Sequence, residues 1–204
     1  MVHFHVSCVA CLWANADDKA FMKLNFAIKF VAACAALTGA ASSFSHVVLQ
    51  DGAAAAGASY RATFRVGHAC GTSPTTAMRV TIPAGFNGAQ PMPKAGWTLS
   101  TKVGKLAQPY ESHGTKYTDG VLEITWTANG PENALPADYY DEFVLRGTTP
   151  TTPGPVWFKV LQSCAQGAND WAEVPASGNS TKGLKMPAAL LEVLDIQAAG
   201  GHSH

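Results

Sequence analysis

The chain has 204 residues, of which 47% are hydrophobic and 14% are charged. This length allows one domain of ordinary size or two small ones, and the apolar content is sufficient for a core. Basic and acidic residues are equal in number, so the formal net charge is zero and nothing in the composition supports nucleic-acid binding.

The first part of the chain has the pattern of a secretion signal. Lys23 and Lys29 precede the apolar run 30–41, and a basic region followed by roughly 12 apolar residues is typical of a signal peptide. The run is too short for a comfortable transmembrane helix. We therefore interpret residues 1–45 as a leader and signal peptide, within which Met22 offers an alternative translation start.

The cleavage site decides which residue begins the mature protein. Ser43 and Ser45 have the small side chains that a signal peptidase requires, which predicts cleavage directly before His46. A second pair of small residues, Gly39 and Ala41, would place the cut earlier and leave His46 inside the chain. We favour the first site, so the mature protein is expected to begin with histidine.

An N-terminal histidine carries an unusual pair of metal donors. The free α-amine and the imidazole Nδ1 of His46 can close a chelate ring on one ion. Both donors are nitrogen atoms, which among common divalent ions suit Cu(II) best. His46 is therefore the first candidate metal ligand of this protein.

The cysteines divide at the predicted cleavage site. Cys8, Cys11 and Cys34 precede it, and only Cys70 and Cys164 remain in the mature chain. Two cysteines in an exported domain are expected to form one structural disulfide. The alternative is a pair of copper-binding thiolates, which an oxidising compartment disfavours.

The mature chain has the pattern of a β protein. Residues 59–66 alternate between apolar and polar side chains, which is typical of a half-buried strand. The segment 188–196 is ambiguous between strand and helix. Several short strands separated by Gly, Pro, Asn and Thr clusters predict a single all-β domain with an immunoglobulin-like β-sandwich fold. Further strands are expected over 77–83, 97–103, 121–127, 142–147, 156–161 and 171–174, with core positions for Trp97, Trp126 and Trp157.

A series of short motifs, taken together in their order and spacing, resembles the YcnI-like family, also called DUF1775. The resemblance covers about residues 46–197, which leaves 198–204 as a small polar tail that we expect to be disordered. The motifs are Gly67-His68-Ala69-Cys70, Pro91-Met92-Pro93, Leu135-Pro136-Ala137-Asp138, Gln162-Ser163-Cys164 and Trp171-Ala172-Glu173.

The resemblance implies an exported β-sandwich domain that handles copper. Members are implied to bind Cu(II) through the amine and imidazole of a mature N-terminal histidine, here His46. A tryptophan, here Trp171, is implied to pack over or shield the ion. The implied glutamate does not carry over, because the segment after the strand 59–66 contains no acidic residue. His68 is the nearest replacement, and imidazole is a competent copper ligand.

Three functions compete at this point. The leading hypothesis is a periplasmic or secreted Cu(II) chaperone or scavenger, not an enzyme, that passes copper to another periplasmic or membrane copper protein. The second is a copper-dependent oxidative enzyme that uses His46 and His68, although no flat aromatic surface for a polymer is evident. The third is a surface interaction module that needs no metal. The acidic residues Asp138, Asp141 and Glu142 are expected to form a solvated loop or rim, not a catalytic pair.

Overall fold

The computed structural model describes residues 46–196. The predicted leader and signal peptide, 1–45, and the predicted tail, 198–204, lie outside these residues. In the described part of the chain the only helical element is the short 3-10 helix Pro131–Asn133, and no helix there is long and apolar enough to cross a membrane. The strands are β1 (Val48–Leu49), β2 (Ala53–Ala55), β3 (Ser59–Val66), β4 (Thr75–Thr81), β5 (Asn87–Pro91), β6 (Trp97–Ser112), β7 (Thr115–Ala128), β8 (Asp141–Thr148), β9 (Gly154–Cys164), β10 (Ala168–Trp171) and β11 (Ala189–Leu194).

The strands form two sheets, which confirms the predicted β-sandwich. The smaller sheet has the order β1-β3-β8-β5. The larger has the order β2-β11-β9-β4-β7-β6, and β10 pairs with β9. Both β10 and β11 run antiparallel to β9, at successive positions along it. The last residue of β3, Val66, pairs with the first residue of β8, Asp141. The bond between Cys70 and Cys164 brings the end of β9 to the same place, which we call the Cys164 end of the sandwich.

Aromatic side chains hold the two sheets together. Phe64 of β3 packs edge-on against Phe158 of β9, with ring centroids 5.5 Å apart. Phe143 of β8 meets both Trp97 and Trp126 in the same way, at 5.1 and 5.7 Å. Edge-to-face pairs add about 0.5–1.5 kcal/mol each beyond the burial of their surface. The alternating pattern of 59–66 is confirmed, because its apolar residues are all buried and, of its polar residues, only Thr63 is buried with them.

The expected strand boundaries differ from the structure in several places. The hairpin of β6 and β7 is much longer than predicted, and much of the extension is exposed, so its side chains lack a one-sided apolar pattern. Strands β1, β2 and β5 were not predicted. They are two, three and five residues long, too short to show a period, and depend on pairing with neighbours.

Two predictions near the end of the chain are corrected and one ambiguity is resolved. Trp157 is not a core residue, because Val156 and Phe158 on either side face inward and Trp157 is half-buried on the opposite face. The strand predicted over 171–174 instead ends at Trp171, where the chain leaves β9. The ambiguous segment is a strand, β11, with alternate residues buried.

The turn between β6 and β7 is made by His113 and Gly114. Both have positive φ, 48° and 73°, which is the requirement of a two-residue hairpin turn of the I′ type. Histidine, like asparagine and aspartate, adopts this left-handed conformation more often than other residues with a side chain. The hairpin tip lies at the end of the sandwich opposite to the Cys164 end, because the pairing of β7 with β4 begins near Ala128.

The phenol of Tyr60 predicts a change in stability at alkaline pH. Tyr60 is 6% exposed and donates a hydrogen bond to the carbonyl of Asp51. Burial, and then the negative charge of Asp51, raise the pKa of Tyr60 to about 12. An unfolded tyrosine titrates near pH 10. Between pH 10 and 12 the unfolded chain therefore loses this proton more readily than the folded protein, and the free energy of unfolding falls as pH rises.

We expect the variant Tyr60→Phe to lose less stability than the wild type between pH 9 and pH 11, because it has no phenol to ionise. At pH 7 the variant should be less stable by about 1 kcal/mol, the typical net value of one hydrogen bond. Urea unfolding at the three pH values measures both effects. If both proteins lost the same free energy of unfolding between pH 9 and pH 11, the result would contradict a raised pKa of Tyr60 as the cause.

Candidate metal centre

His46 is placed by the strand that follows it. Val48 and Leu49 of β1 pair antiparallel with Arg65 and Phe64 of β3. Val47 and Leu49 are 2% and 6% exposed, so alternate residues of this segment are buried in the core. His46 itself is half-buried. The start of the described chain is thus anchored at the Cys164 end of the sandwich, and the imidazole is positioned without losing access to solvent.

Trp171 contacts His46 from the other sheet. It is the last residue of β10, lies opposite Val160 of β9 and is 3% exposed. The imidazole and indole centroids are 5.6 Å apart, and the ring planes meet at 61°, an edge-on arrangement. The structure therefore brings together two of the three predicted metal-site residues, which are far apart in the sequence.

Gln162 is a further residue of this site, and it was not predicted as a member. Its side chain is fully buried. Its Oε1 accepts hydrogen bonds from the indole Nε1 of Trp171 at 3.1 Å and from Nδ2 of Asn169 at 3.2 Å. Its Nε2 donates to the backbone carbonyl of His68 at 2.7 Å and to Oγ1 of Thr75 at 2.8 Å.

A sequence signal for Gln162 existed. Val156, Phe158 and Val160 share one face of the strand by their period of two, and the same alternation continues to Gln162. A buried amide needs hydrogen-bond partners, so a glutamine at an inward position next to a predicted disulfide cysteine pointed to a polar cluster. The sequence could not show which residues would complete it.

His68 approaches the site through its backbone. It lies two residues beyond the end of β3, and its side chain is exposed. Continuing the β1–β3 register by two residues from the Val48–Arg65 pair would place His46 opposite Gly67, adjacent to His68. The contact that the structure shows for His68 is the hydrogen bond from Gln162 to its carbonyl. A ligand role for its imidazole stays a prediction.

The predicted disulfide is confirmed. Cys70 and Cys164 are bonded, with Cα atoms 6.1 Å apart. The backbone N–H of Cys70 also points to Sγ of Cys164 at 3.2 Å. Asn169 adds a long hydrogen bond of 3.5 Å to the carbonyl of Ala69. These contacts attach the segment after β3 to the end of β9, directly beside Gln162.

Two acidic residues at this end of the sandwich, Asp141 and Glu142, already have partners. Asp141 forms a 2.6 Å ion pair with Lys94. The hydroxyl of Tyr140 donates to Glu142, and this hydrogen bond raises the pKa of Tyr140. No group of three or more His, Cys, Asp or Glu side chains suited to a metal ion occurs within residues 46–196. A metal site here would therefore depend on donors from very few residues.

An N-terminal histidine meets that condition, because one residue supplies two nitrogen donors. His46 could hold Cu(II) with its imidazole and, in a protein that begins there, its α-amine. The indole N–H of Trp171 is a donor only and is occupied by Gln162. Trp171 would thus contribute packing beside the ion and would not be a ligand. The residues present fit a copper site of this limited kind.

Comparison with known proteins agrees with the fold and the resemblance. A crystal structure titled "an uncharacterized protein from Nocardia farcinica reveals an immunoglobulin-like fold" is 27% identical, with a TM-score of 0.56 over 72% of this chain and 97% of that chain. The predicted immunoglobulin-like fold is thereby confirmed. No curated protein matches the chain. The family model named domain of unknown function, DUF1775, matches residues 46–193, and the chain therefore belongs to the DUF1775 family.

Proposed function

We propose that the protein is exported, begins at His46 in its mature form and binds one Cu(II) ion there. The observation that carries this proposal is the contact between His46 and the buried Trp171 at the anchored start of the domain. A histidine in a mobile N-terminal segment would have no such fixed neighbour. A fixed neighbour lowers the freedom that the imidazole must lose on binding a metal, which favours a defined site.

The donor atoms available at this site favour Cu(II) over Cu(I). Cu(I) prefers the soft sulfur atoms of cysteine and methionine. Cys70 and Cys164 are joined in the disulfide, and Met78 is fully buried in the core. Met92 is 48% exposed but directly follows β5, where its backbone N–H bonds to the carbonyl of Val144 in β8, outside the His46–Trp171 contact. Met186 is partly buried and packs against the hydrophobic core. Nitrogen from His46 is therefore the better supported donor type, and it selects Cu(II).

A carrier role accounts for this site better than catalysis. His46 is half-buried and supplies only two donors, so most of the coordination sphere would stay open to a second protein. We propose that the protein holds Cu(II) outside the cytoplasm, as a chaperone or scavenger. It would pass the ion to another periplasmic copper carrier or a membrane copper protein.

The direct test is the intact mass of the exported protein before and after addition of one equivalent of Cu(II). We expect a chain that starts at His46 and retains one copper ion after passage through a desalting column. Treatment with a strong chelator should return the original mass. A mature chain that starts at Ser42, or one that retains no copper, would overturn the proposal.

A further inference from the structure

Gln162 is bound in a way that allows only one orientation of its amide. A glutamine side chain offers two N–H donors and an oxygen with two acceptor positions, and all four are used here. Turning the amide over would set its NH₂ group against the N–H donors of Trp171 and Asn169. It would also set its oxygen against the carbonyl of His68. The network therefore fixes the orientation of the amide.

This fixed amide determines how the indole of Trp171 lies. Trp171 is 3% exposed, and its one polar atom, Nε1, finds its partner in Oε1 of Gln162. The bond selects one rotation of the indole, and the edge-on contact with His46 depends on that rotation. Nε2 of the same amide donates a hydrogen bond of 2.7 Å to the backbone carbonyl of His68. One side chain of β9 thus connects the indole beside His46 to the segment that carries His68.

We propose that Gln162 is a positioning residue for the copper site, which holds Trp171 in the arrangement that His46 needs to bind Cu(II). This inference rests on the function proposed above. Gln162 has no hydrogen bond to His46 and would act on the ion through Trp171. Residues that orient a metal site in this indirect way commonly change its affinity by about 10–100-fold when replaced.

The variant Gln162→Met keeps the length of the side chain and removes all four hydrogen bonds. We expect its Cu(II) affinity to fall about tenfold. The matched control is Thr149→Val. Thr149 is also buried, at 1% exposed, and its hydroxyl bonds to the carbonyls of Ala55 and Ala58 at the opposite end of the sandwich. That control should reduce stability while copper affinity stays at the wild-type value.

A double-mutant cycle with Trp171→Phe separates positioning from general loss of structure. Phenylalanine keeps an aromatic ring beside His46 but lacks the N–H that Gln162 holds. If Gln162 acts through Trp171, replacing it in the Trp171→Phe protein should change copper affinity by much less than tenfold. Full additivity of the two changes would overturn the inference.

A copper-free measurement gives a second readout. In the NMR spectrum of the apo protein, Gln162→Met should shift both the indole N–H resonance of Trp171 and the ring resonances of His46. If Gln162→Met does not fold, Gln162→Asn, which withdraws the amide by one methylene, serves with the same criteria. Unchanged resonances, or wild-type copper affinity in the variant, would overturn the inference and leave the proposed function intact. A wild-type protein that binds no copper would instead overturn the proposed function and, with it, the copper role of Gln162.

Discussion

Alanine in place of His46 is expected to abolish tight Cu(II) binding. The variant keeps the α-amine but loses the imidazole, so no chelate ring from this residue can form. The loss should exceed the roughly 10–100-fold that changes in surrounding partners cause, because a direct donor is removed. Competition with a chelator of known Cu(II) affinity measures the dissociation constant.

The amine is tested separately from the imidazole. A form that retains residues 22–45 in front of His46 keeps the imidazole but converts the α-amine into a peptide amide. It should bind Cu(II) as weakly as His46→Ala. The matched control is His113→Asn, which removes an exposed histidine at the far hairpin tip and should bind like the wild type. Tight binding by the form with the uncleaved leader would contradict a site built on the N-terminus.

The second large effect is expected from loss of the disulfide. Cys70 and Cys164 are separated by 94 positions, so the bond restricts a long loop in the unfolded chain. Replacing Cys70 by Ser should lower the free energy of unfolding by about 2–4 kcal/mol. The bond also joins the segment after β3 to the end of β9, next to Gln162, so its loss should loosen the Cys164 end first.

Urea unfolding of the wild type under oxidising and reducing conditions measures this effect. The reduced wild type and the double variant Cys70→Ser, Cys164→Ser should unfold at similar urea concentrations, both below that of the oxidised wild type. The double variant should not respond to reductant, which controls for unrelated effects of the reagent. Equal midpoints for oxidised and reduced wild type would show that the bond adds nothing to stability.

Local patterns in the sequence were sufficient for the fold class and for most strands. The alternation of 59–66 gave the correct buried face because a strand with one face in the core repeats every two residues. The same rule, applied more consistently, would have excluded Trp157 from the core, since it lies between two inward residues. Strands such as β1 could not be predicted, because two residues show no period and exist as a strand only through pairing with β3.

Some residues of the candidate site could likewise be predicted from the sequence, whereas others could not. His46 could be predicted from its place after an apparent signal peptide, and Cys70 with Cys164 from counting cysteines in an exported chain. Each of these inferences uses only the identity and order of residues.

The contact between His46 and Trp171 was decided by the tertiary structure alone. One residue enters from the edge of the smaller sheet and the other from a short strand of the larger, and no local rule sets the distance between them. Gln162 became recognisable as part of the site only when its four partners were seen, because they come from β4, β10 and the segment after β3. Sequence patterns report which side chains must be buried, whereas the packing of two sheets decides which of those side chains meet.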